Sequence, residues 1–583
     1  MSLGRFKSSA VTVAYVLGCM MLTSCVSPGK LDKTLLTQYQ QGLQKQGPQA
    51  RAGQEGLDLL RPMPTPADPK FTFVKDPVTG REAVLLSLDE AIRLTVKNSL
   101  DIRITGYDAA ISREQMTQAA SAFDWTVFGS YNHNVIDQQI PAPLFNISNP
   151  SYQETDTLEL GVKETNPLGG QFQAKWDATR SYDRGANASL PGYPNWESLS
   201  TFQITQPLLR SFGTDFNMSQ LYLARLGSKS AYAAFRQRVQ ETIDNVEIAY
   251  WNLVQVRGTL VILQAVLQEA QDTLAKLEKR TELDVARNLE YKQTLAAVKT
   301  REANVIAEAK LVGDAEDALA RLLADSRLNA MRSYGIKPDV DDPPISEIDI
   351  DRTGQLLSAV RYNPTLEQAR YAIQSADVQI SAAKNQALPG LNLNASIAPQ
   401  GLTSNLPEAI SNQWRADHID WAVGVAWEYP IGNRGPEALV RQRKFEKQKA
   451  ITDLQNVADQ LATQIDEAIR LTHAAVQEYG KQREAAQANT DYLAALDAAL
   501  EVGKQSYLVL LQQKLQAQDN RGQARTAALI SQVLYHQALS RLSRLTGTTM
   551  QQHNIQLAVE AVIDIKPETA QKAEKNAAKN ETK

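Results

Sequence analysis

Apolar residues recur every three or four positions over stretches far longer than an ordinary globular helix. Val239, Ile243, Val246, Tyr250 and Leu253 follow one another at spacings of 4, 3, 4 and 3. The pattern breaks at Arg257 and resumes with Leu260, Leu263, Leu267, Ala270, Leu274 and Leu277. A second stripe runs through Leu454, Val457, Leu461, Ile465, Ala468, Thr472 and Val476. Such spacing places one apolar seam along a helix and predicts coiled-coil-like pairing. Proline positions set the limits. None falls between Pro207 and Pro338 or between Pro436 and Pro567, two proline-free gaps of equal length. Proline inside a helix costs about 3 kcal/mol, so each gap has room for a long helical hairpin. A helix over 214–282 would be roughly 100 Å long at 1.5 Å per residue. Taken alone, these helices also fit a soluble coiled-coil rod.

The segments before each gap alternate with a period of two. Leu391-Asn-Leu-Asn-Ala-Ser-Ile alternates cleanly, as do Trp421, Val423, Val425 and Trp427 with Ala422, Gly424, Ala426 and Glu428. In the first half Leu199, Thr201, Gln203 and Thr205 alternate with Ser200, Phe202, Ile204 and Gln206, and Trp125-Thr-Val-Phe-Gly-Ser-Tyr does so loosely. One apolar face and one polar or small face suits a strand between lipid and a wet lumen. Aromatic residues near strand ends, such as Trp125, Trp421, Trp427 and Tyr429, suit membrane interfaces. A soluble sandwich with one face in its core is the competing reading.

The plan occurs twice. Asn98-Ser-Leu-Asp-Ile matches Asn363-Pro-Thr-Leu-Glu, and each opens an Ala-rich helix, running to about Ala122 and Leu388. Strands follow, then Gln206-Pro-Leu-Leu or Glu428-Tyr-Pro-Ile, then the long hairpin. The fold class is therefore mainly α with transmembrane β: helix, strands and long helical hairpin, duplicated. Four strands cannot close a membrane barrel, which needs about eight, and lipid does not tolerate an open edge. The strands must be shared among protomers. The halves are unequal. The chain from Asn98 to Asn363 is longer than that from Pro207 to Pro430, a surplus of 42 in the first strand region. It contains Leu158-Glu-Leu-Gly-Val, Asn166-Pro-Leu-Gly-Gly and Phe172-Gln-Ala-Lys-Trp, which reads as a hairpin. Two extra strands or an external or lumenal flap would both account for it.

Composition narrows the class. With 61 Lys and Arg against 65 Asp and Glu, the net charge is −4, which argues against nucleic-acid binding. Both cysteines, Cys19 and Cys25, lie at the N-terminus, so disulfides, cysteine metal sites and a cysteine nucleophile are excluded from the body. Arg5 and Lys7 precede an apolar stretch from Ala10 to Leu22, as in an export signal. Leu22-Thr23-Ser24-Cys25 resembles a lipoprotein lipobox, in which Cys25 carries the lipid; Val26 after it implies sorting to the outer membrane. The expected organisation is a signal peptide at 1–24 and an irregular periplasmic lead-in at 25–86. A first repeat follows at 87–327, an equatorial linker at 328–354 and a second repeat at 355–547. The segment 548–583 reads as an equatorial piece with a disordered tail.

The ordered, duplicated pieces resemble the TolC-type outer membrane efflux protein family over about residues 87–547. They are Leu88-Asp-Glu-Ala-Ile-Arg-Leu, Asn98-Ser-Leu, Gln206-Pro-Leu-Leu-Arg-Ser-Phe-Gly, Ala318-Leu-Ala-Arg-Leu-Leu, Asn363-Pro-Thr-Leu and Leu542-Ser-Arg-Leu-Thr-Gly. The resemblance implies a homotrimer with a β-barrel in the outer membrane and an α-helical barrel crossing the periplasm. It also implies a periplasmic adaptor and an inner-membrane pump as partners, and no cofactor beyond the lipid. The alternative is an adaptor-type coiled-coil lipoprotein bridging the membranes. In the family the hairpin tips form the periplasmic aperture. The resemblance places Gly503, Val509 and Gln512 at the second tip and Asp284 and Glu290 at the first. An acidic pattern is kept at Glu290 and lost at Val509 and Gln512.

Nothing in the sequence marks an enzyme. The histidines, His133, His418, His473, His536 and His553, are not at metal-ligand spacing. Gly169-Gly170 reads as a turn, because no Lys-Ser/Thr follows to make a phosphate loop. If Glu290 lines the aperture, copies of it around the axis favour cations. Glu290→Gln is then expected to lower single-channel cation preference in planar bilayers; unchanged selectivity removes Glu290 from the constriction.

Overall fold

The computed structural model describes residues 71–137, 152–183, 195–281, 288–325, 334–340, 342–415, 417–502 and 507–555. All belong to one compact unit, Arg61–Lys583. The expected lipid attachment at Cys25 and the tip positions Asp284 and Gly503 lie outside the described residues.

Each repeat opens with two short helices set by side-chain caps. In the first repeat these are α1 (Leu88–Asn98) and α2 (Leu100–Ala120). Ser87 and Glu90 form a capping box at α1, each accepting from the other's backbone N–H. Ser99 caps α2, accepting from the Ile102 N–H. In the second repeat Asp351 caps α6 (Arg352–Tyr362), and Asn363 caps α7 (Pro364–Gln386), with Pro364 in its first turn. The structural partner of Asn363 is therefore Ser99, 264 positions earlier (363 against 99), not Asn98. The capping oxygen, which satisfies orphan N–H groups, sets the equivalence.

The long helices occupy the proline gaps. A short turn, α3 (Thr214–Asn217), leads into α4 (Ser219–Thr281), which returns as α5 (Asn288–Leu323). In the second repeat α9 (Arg434–Val502) returns as α10 (Tyr507–Thr546), followed by α11 (Thr549–Gln552). With 63 and 69 residues, α4 and α9 extend about 95 and 104 Å at 1.5 Å per residue. The seam read from the sequence is buried: Val239, Ile243, Val246, Tyr250 and Leu253 are all 0% exposed. The equivalent positions of the second repeat, at a shift of 222 (461 against 239), are also buried. They are Leu461, Ile465, Ala468, Thr472 and Ala475. The two hairpins meet through α4 and α10, where glycine allows close approach. A Cβ at Gly258 would collide with Leu529 Cδ2, and one at Gly522 would lie 2.9 Å from Val266 Cγ2. Helix α7 packs against both α9 and α4, whereas α2 rests mainly on α4.

The strands form one antiparallel sheet in the order β3-β4-β5-β6-β8-β9. They are β3 (Thr126–Asp137), β4 (Tyr152–Thr165), β5 (Gln171–Asp183), β6 (Asn195–Pro207), β8 (Gly390–Thr403) and β9 (Ile419–Glu428). The surplus of the first half is the β4–β5 hairpin, paired on both sides within the sheet and not folded away as a flap. Among the described residues this sheet thus holds six strands, where the sequence reading counted four before the surplus. The turn between them works because Asn166 Oδ1 accepts from the Leu168 and Gly170 N–H groups at 3.0 and 2.8 Å. Gly169 there has φ +89, a conformation that suits glycine.

The lead-in is not irregular throughout. Its end forms β1 (Thr72–Lys75) and β2 (Glu82–Leu86), and β2 pairs in parallel with β7 (Gly335–Pro338) from the inter-repeat segment. Ala83, Val84 and Leu86 are at most 1% exposed. The physical reason is a buried charge cluster. Arg257 Nη2 donates to Asp76 Oδ1 at 2.7 Å, and Arg257 Nη1 lies 3.6 Å from Glu316 Oε1. Burial pushes the Asp76 carboxyl up, but hydrogen bonds from Arg257, Thr79 and the Val78 N–H outweigh it and hold it below the usual range. At Glu316 burial dominates and raises the pKa. Arg257, the break in the first apolar stripe, is the anchor for the N-terminal strands.

Removing one partner of a buried ion pair costs about 3–5 kcal/mol. Asp76→Ala is expected to destabilise by about 3 kcal/mol and to expose residues 71–86 to protease before the helices unfold. Co-operative loss of all elements together, or no change in cleavage, contradicts this anchoring role.

Candidate functional site

Directly paired residues of an antiparallel sheet share a face, so the register sorts the strands into two surfaces. On one lie Val127, Leu160, Trp176, Phe202, Leu393 and Val425, with their alternating neighbours. Large apolar side chains stand open there: Val127 and Trp421 are 75% exposed, and Val423 and Val425 65%. On the other face lie Thr157, Thr179, Gln203, Ser396, Ala422 and Gly424. Charges on that face pair across strands: Lys175 Nζ lies 3.0 Å from Asp177 Oδ2 and 4.0 Å from Glu159 Oε1. Strands of 10 to 14 residues meet the length a tilted membrane strand requires, about 9–11 residues. No helix among the described residues is long and apolar enough to cross a membrane.

A short helix missed by the sequence reading, α8 (Leu406–Gln413), follows β8 in the chain and covers part of the apolar face over β8 and β6. A Cβ at Gly401 would collide with the Ala409 carbonyl oxygen, so the helix seats directly on the strand. Trp176 Nε1 donates to Ser198 Oγ at 2.8 Å, and Ser198 in turn donates to Gln413 Oε1. The small polar residues Ser198 and Ser200 on this face are buried as a result.

Two clusters also escaped the sequence reading. His133 Nδ1 and Tyr131 Oη lie 2.8 and 2.7 Å from Asp156 Oδ1, and Arg180 Nη1 donates to Asp156 Oδ2 at 3.3 Å. The ligand atoms of His133, Glu154 and Asp156 converge closely enough to hold a cation. Arg180 already supplies the positive charge there. His133 stands more than 20 positions from Glu154 and Asp156 in sequence (133 against 154), and only the β3–β4 register brings them together. Two other histidines are structural: His536 stacks on Trp251 at 4.1 Å, and His553 Nε2 lies 2.7 Å from Glu247 Oε1.

The second cluster joins the hairpins toward their tips. From α5, Arg301 donates to the Val266 carbonyl on α4 at 3.3 Å. On α10 it donates to the Leu515 carbonyl and Gln518 Oε1, both at 2.9 Å, and to Asp519 Oδ1 at 3.0 Å. Nearby Arg521 of α10 pairs with Glu269 of α4, and Lys514 with Asp497 inside the second hairpin. Single charges on helices already rich in charge gave no sequence signal for these links. Of the tip residues, Glu290 lies in the first turn of α5, with Oε2 buried and without a hydrogen-bond partner among the described residues. Val509 is 49% exposed and Gln512 exposed, near the start of α10.

No sequence family and no curated protein matches the chain. Solved structures do, and they define the fold as that of the TolC-type outer-membrane channels. The Campylobacter jejuni CmeC outer membrane channel aligns with a TM-score of 0.59 at 14% identity, over 87% of this chain and 94% of that one. The outer-membrane channel OprN gives a TM-score of 0.60 at 15% identity, over 83% and 98%. The outer membrane protein VceC of Vibrio cholerae gives 0.56 at 16% identity, over 79% and 96%.

Arg301→Ala takes the donor from the buried Gln518 Oε1 on α10, a loss of about 1–3 kcal/mol for a group left unsatisfied. Hydrogen exchange over residues 507–520 is expected to quicken, and Arg301→Lys not to restore it, since an ammonium lacks the planar fork. Equal protection in Arg301→Ala and the parent removes the link.

Proposed function

We propose that the chain is one protomer of a passive outer-membrane duct in a tripartite export system, working as a homotrimer. The observation that carries this reading is the six-stranded sheet, apolar on one face and polar on the other, joined to hairpins about 100 Å long. Such a sheet makes a wall between lipid and water, and such hairpins suit a conduit through the periplasm. The duct opens to the exterior at the sheet end. It receives cargo at the hairpin tips, where Asp284, Glu290, Gly503, Val509 and Gln512 form the aperture and adaptor-docking region. A periplasmic adaptor and an inner-membrane pump supply the driving force; efflux and type I secretion both fit. The lipid on Cys25 is a secondary tether to the outer membrane. An adaptor-type bridging lipoprotein has no use for a sheet with an open apolar face.

Membrane fractionation and reconstitution test this together. Heat-modifiable trimers in the outer-membrane fraction, forming conducting channels in planar bilayers, are expected. Recovery in the inner membrane, or trimers that conduct no ions, overturns the reading.

A further inference from the structure

A cavity of about 900 Å³ opens where the second hairpin meets α4 and the N-terminal strands. That volume falls among small-molecule sites, about 300–1,000 Å³. Its walls come from α4, α9 and α10, from the β1–β2 turn at Pro77 and Val78, and from β7 and the residues after it. Among the described residues that line it, four are cationic, one from each of four elements. They are Arg257 of α4, Lys337 of β7, Arg483 of α9 and Arg525 of α10. One lining residue is acidic, Asp342, and Gln532 Nε2 donates to its Oδ1 at 3.0 Å. The chain as a whole carries −4, so this excess of positive charge is local.

Two of these charges lack an opposite. Arg483 and Arg525 are exposed, and neither pairs with a carboxylate among the described residues. Basic residues beside them on the same helices do pair: Lys481 with Glu484 at 2.9 Å, and Arg521 with Glu269. Arg257 differs in being only 6% exposed. Its Nη2 donates to Asp76, but its Nη1 is buried without a hydrogen-bond partner among the described residues. The Glu316 carboxylate at 3.6 Å balances charge there and lies beyond hydrogen-bond reach. Buried donors in folded proteins are paired with protein, water or a bound ion. This one calls for an acceptor.

We infer that this cavity binds a multivalent oxyanion, a small molecule bearing phosphate or carboxylate groups. Such groups match the planar fork of arginine, and charge-assisted bonds of this kind are the strong ones. Between Arg483 and Arg525 the anion cancels the local excess of charge, and it supplies the acceptor that Arg257 Nη1 lacks. Tyr479, in the same wall, adds a phenolic donor. A small molecule is favoured over an acidic protein segment for two reasons. The cavity has small-molecule size, and the buried Nη1 is out of reach of a protein surface. Once bound, the anion joins α9 and α10 of the second repeat to α4 of the first and to β7 between them. It thereby holds the N-terminal strands, which Asp76 and Arg257 anchor, against the second hairpin. The site goes beyond the duct reading and does not depend on it.

The test is calorimetric titration of the full detergent-purified chain with pyrophosphate and, separately, with citrate, at constant ionic strength. Saturable binding of at least one is expected. Pyrophosphate alone assigns a phosphate ligand, citrate alone a polycarboxylate, and both a site that reads charge. Arg483→Gln and Arg525→Gln are each expected to weaken binding about tenfold, the loss of one charge-assisted hydrogen bond. Lys481→Gln, at an exposed neighbour outside the cavity, is expected to leave it unchanged. The bound anion is also expected to slow proteolysis of residues 71–86 in the parent and not in the double arginine variant. No saturable binding of either probe overturns the site. Binding that survives both arginine substitutions places the anion elsewhere and overturns it too. An equal loss in Lys481→Gln reduces the effect to diffuse attraction by a basic surface. Binding of a poly-glutamate peptide and of neither small anion overturns it in favour of an acidic protein partner. All of these outcomes leave the duct reading standing, since that is decided by fractionation and conductance.

Discussion

An unpaired backbone N–H or C=O in hydrocarbon costs several kcal/mol. The six-stranded sheet has two open edges, β3 and β9, and six strands cannot close on themselves. On the proposed reading, that constraint governs the molecule. It requires other copies, and it places the joining surfaces on opposite flanks of the protomer. The inequality of the halves then does no harm: the extra β4–β5 hairpin enlarges the wall without altering either edge.

The helical layer follows a different rule. Its seams need no membrane, only a continuous apolar stripe, and the residues at 0% exposure on α4 have close matches at a fixed shift on α9. Glycine at 258 and 522 lets α4 and α10 approach closely, so the two hairpins of a chain behave as one four-helix unit. Arg301 and Arg521 add polar links nearer the tips, beside the buried apolar clusters of Leu277, Leu511 and Leu515 and of Leu493, Leu496 and Leu510.

Much of this was legible in the sequence because it is periodic. Val239 to Leu253 and Trp421 to Trp427 announce their structure through spacing, and the proline gaps mark the hairpins. What was hidden lacked a period. Glu82–Leu86 is too short to alternate convincingly after a stretch rich in proline and glycine, and its partner β7 is far away in sequence. The choice between inserted strands and a flap for the surplus depended on pairing at both edges of the hairpin, which no local pattern records. Residue identity aligns Asn363 with Asn98, whereas capping role aligns it with Ser99, and only the caps show which governs. Among the candidate site residues, Glu290 was visible only through a resemblance, and the burial of its carboxylate oxygen could not be foreseen. Arg301 and the His133–Asp156 pair were invisible, since their meaning lies in contacts across 218 and 23 positions.

The parallel pairing of Ala83 with Gly335 closes a loop that contains the entire first repeat. Contacts of such separation cost chain entropy well before they return any stabilisation. Pairing β2 with β7 therefore has to close a loop that holds the whole first hairpin and the crossing after it. Arg257 of α4 supplies the charge that receives Asp76 from the same N-terminal piece. The β1–β2 hairpin thus fastens together segments that stand at opposite ends of the first repeat.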